Sequence, residues 1–397
     1  MIAKLNVEQF LPADFFAGSL LGRAWVPASV TGSVAGPSPV LLRSKGVFDL
    51  SSIAPTTAEL INNNFSARDC NVDSLTRVGS YEDIMRNTMS SSRDTEAAHF
   101  LSPLDLQAIK ACGVTFMCSM LERVIEERAG GDASKADAVR DKINRGIGVD
   151  VNTIKPGSEE AENLKAILQA EGIWSQYMEV GIGPYAEVFT KSQPMSSVGN
   201  GEQIGILPIS SWNNPEPEIV LVVNASGKVL GACLGNDVNL RDIEGRSALL
   251  LGKAKDNNAS CSLGPFIRLF DETFSIDDVR KAEVSVKVEG AQDGFILEDH
   301  SDMTKISRDV LDLVGQTISE NHQYPDGLAL FTGTLFAPTQ DRDGDGMGFT
   351  HKIGDVVTIA SEKLGALQNT VVLCHDAPPW KFGISALMRN LAQRQLL

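Results

Sequence analysis

Hydrophobic and polar positions divide the chain into three textures. Residues 1 to about 100 carry short apolar runs, such as Pro39-Val-Leu-Leu-Arg43, spaced by Gly, Pro and Ser. This predicts a small β-containing N-terminal domain, placed at 1–102 and closing near SSSRDTEAAH. From Leu104 to about Gly146 the spacing becomes helical. LDLQAIKACGVTFMCSMLERVIEERAG predicts one helix ended by Gly130-Gly131, and DASKADAVRDKINRG a second, capped by Asp132 or Ser134. A third helix is predicted over 158–174, with acids in its first turn. From Tyr177 onward short β-type runs alternate with Gly, Asn and Pro: QIGILPI, EIVLVV, KVLGACLG, EVSVKVEG, ALFTGTLF, DVVTIA and TVVLC. Asn224-Ala-Ser-Gly227 between two of them is a hairpin signal. One helix, from about Met303 to Glu320, interrupts the series. Strands and helices mixed in this way predict an α+β body with a rolled-up sheet over 103–397.

Charge narrows the partners. Of 397 residues, 51 are Asp or Glu and 35 are Lys or Arg, a formal net charge of -16 without a basic block. That field repels nucleic acid and anionic membrane surfaces. A small anion binds only where a metal or local cations reverse it. The longest apolar runs, such as Ile219 to Val223, are too short to span a bilayer, and the N-terminus lacks a signal-peptide pattern. Six scattered cysteines (Cys70, Cys112, Cys118, Cys233, Cys261 and Cys374) form no C-x-x-C pair and suit a reducing cytoplasm. Five dispersed histidines make a His/Cys zinc site a poor expectation.

Candidate chemistry begins at Asn-Asn-Pro-Glu-Pro-Glu-Ile-Val-Leu-Val-Val, residues 213–223. In a strand, Glu216 and Glu218 share a face with Cα atoms roughly 6–7 Å apart, and Pro217 is tolerated at the strand's start. Two carboxylates held there either form a solvated strand end or share a cation such as Mg²⁺, Mn²⁺ or Ca²⁺. Hairpin pairing brings Asp237, in GNDVNLRD, close enough to be a third ligand. That segment also reads as a polar turn with an Arg241–Asp242 surface pair. A second acidic run, DRDGDG at 341–346, imitates the start of a calcium loop but puts Lys352 where a bidentate acid is required, so an acidic surface loop is expected. Lys255 is placed in a loop and, from spacing alone, reads as a solvated lysine; beside a metal-bound substrate it would hold an anion or act as an acid or base. Thr332-Gly-Thr334 reads as a strand-end turn whose hydroxyls and amides can orient a substrate oxygen.

Together these segments resemble the fumarylacetoacetate hydrolase family over roughly 105–375. The resemblance rests on Glu216-Pro-Glu218 before Ile-Val-Leu-Val-Val and on Asn236-Asp237-Val238-Asn239-Leu240-Arg241-Asp242. It continues with Lys255 ahead of Ser260-Cys261-Ser262-Leu263-Gly264-Pro265, the turn Thr332–Thr334, and GDVVTIASEKLGALQNTV at 354–371. It implies a mixed β-roll catalytic domain with Mg²⁺ or Mn²⁺ on Glu216, Glu218 and Asp237, in a homodimer or homotetramer. Hydrolytic members carry G-x-N-Y-x-x-H followed by an acid. Here the corresponding stretch is Gly113-Val-Thr-Phe-Met-Cys-Ser119, followed by Glu122, so Ser119 stands where the water-activating histidine is expected. A serine hydroxyl is no base near neutral pH without a partner.

The variant stretch, the YAEVFTK segment and the N-terminal domain are similar to the family's sugar-acid branch, which dehydrates 2-keto-3-deoxy sugar acids. The resemblance therefore implies a hydro-lyase converting a 2-keto-3-deoxypentonate to 2,5-dioxopentanoate through a metal-stabilised enolate. It implies Lys255 and Glu187 as the acid/base pair in either order, Thr332 and Thr334 positioning the substrate, and Ser119 and Arg123 lining its carboxylate or hydroxyl side. Two rival readings are a C–C hydrolase of a 2,4-diketo acid and a metal-stabilised binding protein.

Overall fold

The computed structural model describes residues 5–136, 154–170, 172, 174–338, 340–344 and 348–397. Sixteen strands follow in chain order: β1 (Ser19–Val26), β2 (Gly36–Arg43), β3 (Gly46–Asp49), β4 (Arg77–Gly79), β5 (His99–Phe100), β6 (Ala108–Gly113), β7 (Glu187–Ser192) and β8 (Gln203–Ile206). They continue with β9 (Pro217–Val223), β10 (Val229–Asp237), β11 (Cys261–Leu269), β12 (Glu283–Glu289), β13 (Ile296–Asp302), β14 (Leu328–Phe331), β15 (Val356–Ser361) and β16 (Gly365–Leu373). They form two sheets. The larger has eleven strands in the order β4-β3-β2-β1-β11-β10-β9-β14-β6-β7, with β5 paired to β1; the smaller runs β13-β12-β15-β16-β8. The pairs β14–β6 and β16–β8 are parallel and the other ladders antiparallel. The N-terminal strands are continuous with the rest, because β1 pairs with β11.

Burial explains the unbroken apolar run at 219–223. Every residue of β9 is buried, and its side chains alternate between two cores. Ile219, Leu221 and Val223 pack with Val284, Val286 and Val288 of β12 and Val357 and Ile359 of β15. Val220 and Val222 pack on the opposite face with Ile109, Cys233, Phe331 and the N-terminal residues Leu60 and Ile61. A strand covered on both faces loses the alternation of a half-exposed one. On the second face the apolar positions give way at the strand's beginning to Glu218 and then Glu216, so the period of two carries the acids in register with the core.

Several sequence expectations need correction. The helix drawn from Leu104 is a strand, β6, followed by a helix only over Met117–Ala129. Gly130 and Gly131 end that helix at positive φ, as the sequence implies. The second predicted helix lies mostly outside the described residues. The third is found over Glu159–Ala170. Residues Gln176–Ile182 are helical, capped by Ser175, so β texture resumes only at Glu187. The 303–320 helix shrinks to Val310–Thr317, because Asp309 caps it late by accepting from the Leu311 amide. Lys255 closes a short helix, Leu251–Lys255, instead of lying in a loop. Lys352 pairs with Asp343 at 2.5 Å and Asp293 at 3.0 Å, filling the calcium-like loop with a cation of its own. Among the described residues, no helix is long and apolar enough to cross a membrane.

Gly235 of β10 lies against Phe331 and Val220, which leave no room for a Cβ. Gly235→Ala should therefore destabilise the protein by about 1–3 kcal/mol, the usual cost of overpacking. Urea unfolding is the measurement. A lower midpoint with unchanged slope is expected; an unchanged midpoint would mean that the sheet opens around the methyl without penalty.

Candidate metal and acid–base centre

Five neighbouring strands end at one place. β9 begins there with Glu216 and Glu218, and β10 ends there with Asp237. β14 runs into Gly333 and Thr334, β6 ends at Gly113, and β7 starts with Glu187. Register does the positioning. Glu218 lies opposite Gly235, and the Asp237 amide donates to the Glu216 carbonyl at 3.0 Å. Residues 216 and 237 are thus cross-strand neighbours with side chains on one face. Oxygens of Glu216, Glu218 and Asp237 all lie within 4.8 Å of one another, and all three residues are buried. The sequence-based cluster is therefore assembled, and the solvated strand end is excluded.

Two lysines hold the cluster. Lys255 Nζ lies 2.5 Å from Glu216 Oε2 and 3.0 Å from Asp237 Oδ2. Lys191 Nζ lies 2.9 Å from Asp237 Oδ1 and donates to the Lys255 carbonyl at 2.5 Å. Glu218 Oε2 accepts from the Gly333 amide at 2.6 Å. Gly333 has φ +90, and a Cβ there would run into the Thr115 hydroxyl, so only glycine presents that N–H so closely. Arg123, from the Met117–Ala129 helix, contacts Glu216 and also reaches Glu126 Oε2 at 2.7 Å and Glu244 Oε2 at 3.1 Å. Arg241 Nε lies 2.7 Å from Glu126 Oε1, with its guanidinium 4.3 Å from the Trp212 ring centre. Arg241 and Asp242 are both buried, and Asp242 instead accepts from Ser210 and Ser211; the expected surface pair is not formed.

The charges do not balance. Glu122, Glu126, Glu187, Glu216, Glu218, Asp237 and Glu244 face Arg123, Lys191, Arg241 and Lys255, leaving three more acids than cations. The excess appears in the protonation equilibria. Burial, with Asp237 and Glu216 close by, drives the Glu218 carboxyl well above its usual range. Burial also raises Glu244, with Glu216 and Glu126 adding to it against the opposing pull of Arg123 and Lys255. Half-buried Glu187 is pushed up to about 7 by burial and by Glu244. Asp237 moves the other way, because Lys191 and Lys255 outweigh its burial. Burial opposes the Lys255 ammonium, yet Asp237 and Glu216 outweigh that as well and hold its proton far more tightly than usual.

These groups enclose a cavity of about 20 Å³ lined by Glu187, Phe189, Ser119, Arg123, Thr334 and the three acids, among others. None of the five histidines lines it. A further narrow space walled by Ser119, Arg123, Glu216 and Thr334 also touches Glu122, Phe336 and Ala337. Those last three line an outer groove of about 790 Å³. Ser119 sits on this route with its hydroxyl donating to the Phe116 carbonyl at 2.8 Å. Thr334 lines the cavity, whereas Thr332 does not. The Thr332 hydroxyl is fully buried and donates to the Ile219 carbonyl at 2.9 Å, so it locks the turn to β9. Lys191, Glu126 and Glu244 escaped sequence reasoning. Lys191 had a legible signal: Glu187, Phe189 and Lys191 alternate on one strand face. Arg123 and Glu126, spaced three apart on a helix, are a second such signal.

Residues 183–372 match the family model described as Fumarylacetoacetate (FAA) hydrolase C-terminal. The chain is 32% identical over 196 residues to a probable 2-keto-3-deoxyxylonate dehydratase of Haloferax volcanii, covering 49% of this chain and 63% of that one. It is also 32% identical over 181 residues to 2-dehydro-3-deoxy-D-arabinonate dehydratase of Saccharolobus solfataricus, covering 46% and 57%. The match thus spans less than two thirds of either relative's length. A solved structure of 2-keto-3-deoxy-D-arabinonate dehydratase complexed with magnesium and 2,5-dioxopentanoate superposes with a TM-score of 0.61 at 19% identity, over 89% of this chain and 98% of that one. A fumarylacetoacetate hydrolase from Exiguobacterium antarcticum superposes with 0.53 at 17%, over 89% and 99%. The mixed sheets and helices are the fold of these neighbours, and the stretch that matches the family model is just under half of the chain.

Proposed function

We propose that this protein is a metal-dependent hydro-lyase that converts a 2-keto-3-deoxypentonate to 2,5-dioxopentanoate. The observation that carries the reading is the cavity itself: a buried three-carboxylate cluster, a tethered lysine and an elevated glutamate, with no histidine to activate water. The printed activities of the two dehydratase relatives support the same reading.

The donor set fits a divalent cation. Three buried carboxylates offer hard oxygens suited to Mg²⁺ or Mn²⁺, and acids outnumber cations in the surrounding cluster. When bound, such an ion supplies Lewis acidity that acidifies a methylene beside a ketone. The residues supply the proton handling. Glu187, titrating at about 7, is matched to take a proton from that methylene near neutral pH. Lys255, held as an ammonium by Glu216 and Asp237, donates to the departing hydroxyl on the next carbon, which leaves as water. A proton shift from the terminal carbon to the former methylene position then gives an enol that tautomerises to the aldehyde. One water is lost and no redox partner is needed. Arg123 and Thr334 face the space where the substrate's oxygens would lie, and Ser119 borders it without basicity of its own. The same proposal includes a homodimer or homotetramer in the cytoplasm; six cysteines without a disulfide support a reducing compartment.

Incubation with Mg²⁺ and D- or L-2-keto-3-deoxypentonate, coupled to a semialdehyde dehydrogenase, should give a signal with one isomer. Two fragments from a 2,4-diketo acid, with no semialdehyde from either pentonate, would establish the C–C hydrolase instead. Glu187→Gln should lower kcat by about 10²–10⁴, the usual contribution of a general base. In the parent, kcat/KM should rise with pH through about 7 as Glu187 loses its proton, and the variant should lack that limb.

Stability offers a separate check. The folded-state pKa of Glu187 lies above its ordinary value of 4.5, so the native state binds more protons and loses stability as pH rises from about 4.5 to 7. Without added metal, Glu187→Gln should melt above the parent at pH 8 and level with it at pH 4. Mg²⁺ should raise the parent's Tm in proportion to its occupancy, and Glu216→Gln should lose that rise. Equal rises in both proteins would remove Glu216 from the cation's ligands.

A further inference from the structure

We propose that a cleft remote from the acidic centre, floored by Arg23 and walled by Trp25, Trp380 and Phe382, binds a compact aromatic carboxylate. The cleft has a volume of about 340 Å³, within the range of small-ligand sites. Its floor is β1 and its outer wall is the segment just before the C-terminal helix Ile384–Gln393.

Arg23 is the argument. Its residue is only 7% exposed, yet among the described residues its guanidinium meets no anion at bonding distance. Nη1 reaches the Leu104 carbonyl at 3.4 Å, long for such a bond, and Nη2 reaches only the Met195 thioether, a weak neutral acceptor, at 3.5 Å. Other buried guanidinium groups in the fold are matched. Arg241 lies against Glu126, Arg268 against Asp14, and Arg342 against Asp293 and Asp355. Arg308 lacks a carboxylate but donates to the Gly183 carbonyl at 2.5 Å and the Val180 carbonyl at 3.0 Å. Asp105 lends Arg23 some field, but its oxygens already accept from the amides of Thr57, Ala58 and Leu106. Burial consequently pulls the Arg23 pKa down. A buried cation without an anionic partner is costly, and its planar fork matches a carboxylate.

The walls fix the rest of the ligand. Trp25 stacks on His99 and meets Phe382 edge-on, with ring centres 5.8 Å apart, leaving apolar faces along the cleft. Trp380 and Lys381 stand exposed at its rim. The acid at the cleft, Glu202, is already paired with Arg93. A flat ring between the tryptophans with its carboxylate on Arg23 satisfies each of these groups, and Lys381 aids capture against the chain's negative field.

Isothermal titration of the full chain with indole-3-carboxylate, indole-3-carboxamide and acetate tests this. The carboxylate should bind, with the amide and acetate at least tenfold weaker. Arg23→Gln should weaken the carboxylate at least tenfold with unchanged circular dichroism, whereas Glu216→Gln should leave it unaltered. Should Arg23→Gln not fold, Trp380→Ala, at an exposed position, should weaken binding at least fivefold. No binding, equal affinity for the amide, affinity that survives both cleft substitutions, or affinity lost in Glu216→Gln would each overturn the proposal.

Discussion

The constraint on which this structure turns is negative charge kept out of water. Glu216, Glu218 and Asp237 meet at the end of the most deeply covered strand pair, within 4.8 Å of one another. Like charges so close in a buried place repel strongly unless protonated or neutralised. Everything around them answers that repulsion: Lys255 bridges two of the three, Lys191 holds the third side, the Gly333 amide caps Glu218, and Arg123 ties Glu216 to a second ring of acids. Acids still outnumber cations there, and burial together with this excess makes Glu218, Glu244 and Glu187 retain protons more tightly than ordinary carboxyls. A deficit built this carefully is the signature of a site meant to receive a cation.

The fold makes such a site mechanically possible. A strand buried on both faces is a rigid rail, and the alternation that seats Val220 and Val222 in one core also aims Glu218 and Glu216 beyond its edge. Antiparallel pairing sets Asp237 opposite Glu216 without any loop having to be ordered. The parallel β14–β6 pair then brings the Thr332–Thr334 turn and Gly113 to the same end. Gly113 leaves room for the Glu187 carboxylate lying across from it, which a Cβ there would displace.

Much of this was legible in the sequence because it depends on short-range periodicity. The period of two in Pro-Glu-Pro-Glu, the Asn224–Gly227 turn and the placement of Asp237 together specify the acid triad, and the structure assembles it. The failures share a cause as well. Ala108–Gly113 carries apolar spacing compatible with a helix, and its partners β14 and β7 on either side decide for a strand. The 303–320 helix is cut short by a cap at Asp309 that outcompetes the apolar period. Glu244 and Glu126 were missed for a different reason. Each looks like an ordinary acid on a helix, and only packing of the Met117–Ala129 and Arg241–Glu244 helices against each other buries them with Arg123 and Arg241.

The same electrostatics couples Lys255 and Glu187 to the acid cluster. Lys255 Nζ bonds oxygens of Glu216 and Asp237, two of the three acids that would hold a divalent ion. A cation among those carboxylates would take over part of the neutralising role that Lys255 shares with Lys191 and Arg123. The pull that now keeps the ammonium protonated then weakens, and burial, which opposes the charge, gains weight. Lys255 thereby becomes a readier proton donor when the cluster is filled than when it is bare. Glu187, farther along the sheet at the start of β7, feels the cluster mainly through Glu244 and its own burial. Glu216 adds to that rise, and Arg123 and Lys255 oppose it. Both groups therefore sense charge among the three acids, Lys255 through direct bonds and Glu187 from farther away.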